Sequence, residues 1–194
     1  MILRPLAAVM VAAGLLLAGP ALAKDWTVDP AASKLAVTFN QGQTAVDASF
    51  ERFAATVRFD PAALADASVE VKVDLASFTT GEAQRDAQAQ GPDFLAAGSM
   101  AEAVYRTTSF EALGGDRYKV TADLTLKGIT RQVVHEATIT VDGDHAHAEG
   151  TVPLTRTDFD VGTGQFATGS LDAPSWHCAT TTSASGRSPR PSTG

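Results

Sequence analysis

Cys178 is the only cysteine of the chain, so no intrachain disulfide can form and stability has to come from packing. Basic residues are scarce. Fifteen Lys and Arg stand against 22 Asp and Glu, giving a net charge of −7 without any basic cluster. That balance argues against attraction to nucleic acid or to an anionic membrane surface. Beyond residue 23 no apolar run approaches the roughly 20 residues that a membrane-spanning helix needs. Catalytic motifs are missing as well: there is no Gly-x-Ser-x-Gly, no His-Glu-x-x-His, no glycine-rich phosphate loop and no Cys–His pairing outside the last residues. A non-enzymatic protein without cofactor or structural metal is expected.

What is present begins with Arg4, an apolar stretch through Leu17, and Ala21-Leu-Ala23. These are the charged, apolar and small-residue parts of a secretory signal peptide, and the apolar stretch is short for a retained anchor. Cleavage after Ala23 removes Arg4 and takes the formal charge from −7 to −8. About 170 residues remain, enough for one domain with a sizeable core.

Those residues are dominated by a period of two. Leu35, Val37 and Phe39 share a face, as do Phe53, Ala55, Val57 and Phe59, and Val69, Val71, Val73 and Leu75; Arg58, Glu70, Lys72 and Asp74 point the other way. Tyr118, Val120, Ala122, Leu124 and Leu126 alternate with polar residues up to Gly128, and a second alternating run follows at once, so the two read as a hairpin. Further runs at about 104–112, 131–141 and 145–153 are separated by turn signals such as Gly114-Gly-Asp116 and Asp142-Gly-Asp144. Many strands of similar length predict an antiparallel barrel or sandwich. Between Phe78 and Met100 the alternation lapses, which predicts a short helix plus loop covering one end. A barrel of eight strands is about the size at which side chains either fill the interior or leave room for one small ligand. Periodicity alone leaves both open.

Trp26-x-x-Asp29-x-x-x-Ser33, Phe50-x-x-Phe53, Phe59-Asp60, Ser77-x-x-Thr80 with Arg85-Asp86, Leu124-Thr-Leu-Lys-Gly-Ile-Thr-Arg131 and Arg156-x-Asp158-Phe159 occur in this order. The ordered set, covering about residues 25–170, resembles the YceI-like family of bacterial polyisoprenoid-binding proteins. The resemblance implies an all-β, eight-stranded, lipocalin-like antiparallel barrel exported to the periplasm, with a long isoprenoid lipid or prenyl quinone in its lumen. Domain bounds follow: 1–23 as signal peptide, 24–171 as the lipid-binding barrel, and 172–194 as a tail. Candidates for the pocket are the aromatics Phe39, Phe50, Phe53, Phe59, Phe78, Phe94, Tyr105 and Phe110, together with Val57, Leu124 and His135. Two rival readings are an accessory module presenting a quinone to a membrane cytochrome b561-type redox partner, and an exported hydrolase or isomerase. A homodimer is left open.

The chain departs from the family pattern in several places. Ala48 and Asp160 stand where the family has glycine, and the second change bears on a turn. His135 stands where the family has an apolar residue, and alternation with Val133, Ala137 and Ile139 turns it inward, either toward a ligand head group or to a rim position satisfied by backbone or water. Arg85-Asp86 either holds a polar head group or ties its loop to a strand end, the second being favoured. After Thr168-Gly169, where the family runs into its closing strand, the chain becomes rich in Ser, Thr, Pro and Gly. Such a composition predicts a disordered or aberrant tail over 172–194 and a doubtful final strand.

His145 and His147 lie two apart on one strand face, a spacing able to ligate a metal, but alternation puts them outward without a third ligand. Changing both to Ala is expected to leave the unfolding free energy within about 0.5 kcal/mol of wild type. A thermal or urea melt of the double variant with and without added zinc checks this.

Overall fold

The computed structural model describes residues 23–41, 44–163 and 175–186. Its strands are β1 (Lys24–Val28), β2 (Lys34–Gln41), β3 (Thr44–Phe50), β4 (Phe53–Phe59), β5 (Ser68–Asp74), β6 (Phe78–Thr79), β7 (Glu102–Gly114), β8 (Arg117–Leu126), β9 (Ile129–Asp142), β10 (His145–Thr155) and β11 (Ser175–Gly186), with one helix, α1 (Ala83–Gln90). The six short segments join end to end as three bent staves. β1 pairs with β4 through Trp26 and Val57 while β2 pairs with β3 through Leu35 and Phe50; β4 then pairs with β5, and β3 with β6. With β7 to β11 they make an eight-stranded, up-and-down antiparallel barrel. The hairpin around Gly128 is as the alternation predicts: Leu126 opposes Ile129, and Lys127 and Gly128 both take positive φ (52° and 75°), the two-residue turn whose twist matches paired strands.

The bends have local causes. Asp29 accepts the backbone N–H of Ala31 at 2.9 Å and Pro30 offers no N–H, so the first stave breaks there. The second and third staves bend side by side and are locked together by Ser77, whose Oγ accepts from Arg52 N–H (3.0 Å) and donates to the Asp74 carbonyl (2.6 Å).

The closing strand corrects the expectation of an unstructured end. Residues 175–186 pair along their length with β10, with β2 from Lys34 to Thr38 and with β1 from Trp26 to Val28. Thr180, Thr181 and Thr182 are β-branched residues that suit a strand without providing apolar contrast, and two waiting ladders supply the hydrogen bonds. Composition therefore misreads this segment. Residues 172–174 and 187–194 of the expected tail, and residues 1–22 of the expected leader, lie outside the described residues.

Each end of the barrel has its own apolar cluster. At one end Leu75, Phe78, Leu95, Phe159 and Val161 are buried beneath α1 and the loop that follows it. At the other, Trp26, Phe59, Tyr118, Val120 and Ala184 pack together, with Phe59 edge-on to Tyr118 at 5.2 Å and the Trp26 Nε1–H donating to the Phe59 carbonyl at 2.8 Å.

The first end is fastened by polar ties. Arg156, buried, donates through Nη1 to the carbonyls of Val161 (2.8 Å) and Gly162 (3.0 Å). Lys127 Nζ donates to the Asp160 carbonyl at 2.6 Å and the Pro92 carbonyl at 3.2 Å. Asp160 itself takes the left-handed conformation (φ 53°, ψ 34°), so the turn survives without glycine because Asp is among the residues that tolerate that region.

Arg85-Asp86 plays the structural role expected, by a different route. Arg85, on α1, pairs with Glu82 just before the helix at 2.8 Å. Asp86 accepts from Thr79 Oγ1 (2.9 Å), Thr80 N (2.7 Å) and Thr80 Oγ1 (2.7 Å), which anchors the helix to the end of β6. Burial opposes ionisation here, and the Thr80 and Thr79 hydrogen bonds overcome it, holding the carboxyl below its ordinary range. Replacing Asp86 by Ala is expected to cost about 1–3 kcal/mol, since charge-assisted bonds are lost and the Thr80 N–H is left to water. Chemical denaturation reads the loss, and an unchanged midpoint would contradict it.

Candidate functional site: the barrel lumen

Between the two apolar clusters lies a cavity of about 230 Å³. At the roughly 30 Å³ that a water takes up in the liquid, it has room on the order of 8 waters. It exists because the inward positions carry small side chains. Val69, Val71 and Val73 on β5 and Ala137, Ala146, Ala148 and Gly150 on β9 and β10 stop short of the barrel axis, and the space is not taken up from other staves. The outward positions carry the charges: Arg106 pairs with Glu70 at 2.7 Å and Arg117 with Glu136 at 2.7 Å. A hydrogen bond from Arg106 holds the Glu70 carboxyl below its ordinary range despite some desolvation. Both faces of the period-two pattern are thus as predicted.

Of the predicted pocket residues, Phe50, Val57, Phe59, Tyr105, Phe110, Leu124 and His135 line the cavity. Phe39, Phe53, Phe78 and Phe94 do not. They pack in or against the cluster at the α1 end, where Phe78 meets Phe50 edge-on at 5.4 Å, and they serve as a plug rather than a wall. The sequence reading favoured aromatics and so missed much of the real lining, which is aliphatic: Val37, Val71, Leu126, Ile139, Val152 and Leu154 among others. The signal was available in the same alternation that located the strands.

Part of the wall lacks a ladder. β9 and β10 pair only from Ala137 with Gly150 to Asp142 with His145, so among the described residues 129–136 and 151–155 make no ladder with each other. Pro153, inside that stretch of β10, has no N–H to give to a neighbour.

Just beyond the last paired position, two polar side chains meet inside an apolar wall. Tyr105 Oη lies 2.7 Å from His135 Nε2, and His135 Nδ1 lies 3.1 Å from the Glu136 carbonyl. Tyr105 belongs to β7 and His135 to β9, brought together across β8, where Leu124 opposes Tyr105 and Val120 opposes His135. The imidazole faces inward as alternation predicts, and both its nitrogens have protein partners. His145 and His147 are exposed on the outer face, His147 Nε2 lying 3.0 Å from Glu149 Oε1.

A YceI-like domain matches residues 26–174. A UPF0312 protein of Pseudomonas fluorescens is 34% identical over 173 residues, 82% of this chain and 87% of that protein, and one of Vibrio parahaemolyticus is 31% identical over 150 residues, covering 73% and 79%. Among solved structures, Burkholderia cenocepacia BcnA superposes with a TM-score of 0.78 at 31% identity, over 82% of this chain and all of that one. A polyisoprenoid-binding domain from Saccharophagus degradans shares the fold, with a TM-score of 0.66 at 15% identity over 86% of this chain and 100% of that one.

Desolvation lowers the His135 pKa below its ordinary 6.5, the Glu136 carbonyl opposing it weakly. A depressed folded-state value means that the neutral ring contributes stability fully present above about pH 6.5 and lost as pH falls through the folded value. The loss of stability on acidification below pH 6.5 is therefore expected to be smaller in a His135→Leu variant than in wild type. Parallel urea titrations across that range check it, and equal slopes would contradict it.

Proposed function

Because the chain belongs to the YceI-like family, we propose that it is a binding protein rather than an enzyme and that its lumen takes the tail of a long-chain isoprenoid lipid. The observation that carries this reading is the cavity itself: an apolar, largely aliphatic space left open inside a closed sheet, with a charged exterior. A polyprenyl tail needs little directional chemistry and much apolar surface, and each buried CH₂ contributes roughly 0.8 kcal/mol. The described residues offer that surface without a convergent set of titratable groups. The leader pattern from Arg4 to Ala23 supports action in the periplasm, where a water-insoluble chain crossing between membranes requires a sleeve. Carriage or sequestration of such a lipid is the role that follows.

Protein purified from its own periplasm is expected to yield an isoprenoid on organic extraction and a matching mass increment in native mass spectrometry. If extraction and fluorescent-lipid titration both show an empty, non-binding protein, the reading fails. A substitution that fills the lumen separates a ligand sleeve from ordinary core. Ala148→Phe adds apolar volume from the wall into the cavity and is expected to reduce lipid uptake by roughly 10-fold or more, with the melting temperature held or raised. Unchanged uptake in a folded Ala148→Phe protein would contradict it.

A further inference from the structure

The third stave parts from its neighbour at the α1 end. β5 pairs with β7 as far as Asp74 with Glu102, whereas β6, which continues the stave, pairs among the described residues with β3 alone, at Ser49 with Thr79 and Phe50 with Phe78. The Leu75 N–H donates to the Ala101 carbonyl at 3.0 Å where the two part. Residues 80–101 leave the sheet at this split and return to it, carrying α1 and the turns after it. They form a cover over that end of the lumen. Leu95, on this excursion, is 1% exposed and lines the cavity. Among the described residues the rest of the lining lies on strands, apart from Leu75 in the turn between β5 and β6.

The cover is held differently from the wall. α1 buries none of its own residues. Its near side is tied to β6 by Asp86 and by Gln90 Nε2, which donates to the carbonyls of Ala76 (3.2 Å) and Phe78 (3.1 Å). Its far side is fastened to the barrel rim at Pro92 and Asp93. The Asp93 carbonyl accepts the N–H groups of Gly162 (2.8 Å) and Thr163 (3.0 Å), and Lys127 Nζ bridges the Pro92 and Asp160 carbonyls. Releasing that side breaks a few polar contacts and uncovers Leu95 with its neighbours. Parting β10 from β11 instead breaks a ladder of 11 paired positions. Local opening follows the weaker attachment. At the opposite end no described residue outside a strand lines the cavity.

We propose that α1 and the turns after it are the gate through which a prenyl tail enters, swinging on the β6 side when the rim contacts at Pro92 and Asp93 release, and drawing Leu95 out of the cavity. This rests on the lumen being a lipid site. A gate of this kind sets the rates of uptake and release together and leaves the equilibrium between them to the lumen.

The test follows uptake and release of a fluorescent geranylgeraniol analogue by stopped flow. In a Cys178→Ala background, Asp93→Cys with Thr163→Cys joins cover to rim, since residues that share a backbone hydrogen bond lie within the roughly 7 Å that a disulfide can bridge. The oxidised protein is expected to take up and release the probe slower by roughly 10-fold or more than the same protein after reduction. Lys127→Met unfastens one rim contact and is expected to speed both rates by roughly 3- to 10-fold, the factor for about one hydrogen bond, with Kd within about 2-fold of wild type. Equal rates in oxidised and reduced protein would overturn the gate while leaving lipid binding in place. Absence of probe binding by wild type at equilibrium would instead overturn the lipid-binding reading and the gate with it. Should the cross-linked protein fail to fold, the Lys127→Met rates decide alone, and unchanged rates would overturn the gate.

Discussion

An interior that its own side chains leave unfilled is the constraint around which this barrel is built. Cavities of this kind are expensive: at about 24 cal/mol per Å³, a dry space of about 230 Å³ forgoes on the order of 5 kcal/mol of packing. That is a large part of the 5–15 kcal/mol that typically separates folded from unfolded. The sheet therefore has to be held by something other than its centre. Closure of the ladder between the first and last staves joins the two ends of the sheet, and the two end clusters concentrate the large apolar side chains where the axis would otherwise open to water.

The residues that make the chain look like its family are mostly those that hold the ends shut. Ser77 locks two bends, Asp86 ties α1 to β6, Lys127 reaches two carbonyls of the plug, and Arg156 folds the following turn around its guanidinium. None of these four lines the cavity. Motif residues such as Trp26, Phe50, Phe59 and Leu124 do reach the lumen, but most of its wall is Val, Ala, Leu and Ile at alternate positions that no motif singles out.

That division explains what could be read in advance. Alternation located β4, β5 and β7 to β10 with errors of a few residues at their ends, because each has one wet and one dry face. It failed for β11, where threonines and alanines give no contrast between faces and the reason for a strand lies in its neighbours. It placed His135 on the inner face correctly. It could not find Tyr105 as its partner, since that contact joins strands two apart in the sheet and 30 residues apart in sequence. The assignment of Phe39, Phe53, Phe78 and Phe94 to the pocket failed for a related reason. An inward side chain near a strand end meets the plug, one near the middle meets the cavity, and alternation distinguishes faces rather than depth.

Trp26 and Gly186 sit side by side in the sheet, though about 160 residues separate them along the chain. A chain made from its N-terminus onward holds β1 and β2 for almost the whole of its synthesis without the strand that will cover their far edge. Until then the sheet is a trough, apolar along its floor and open along one side. Non-local closure of this kind is slow to find, because the entropy of bringing distant segments together is spent before any ladder forms. The sleeve thus comes into being late and all at once, and the interval before that moment is when its interior is most exposed to chaperones, to neighbouring chains and to whatever apolar molecule is nearest.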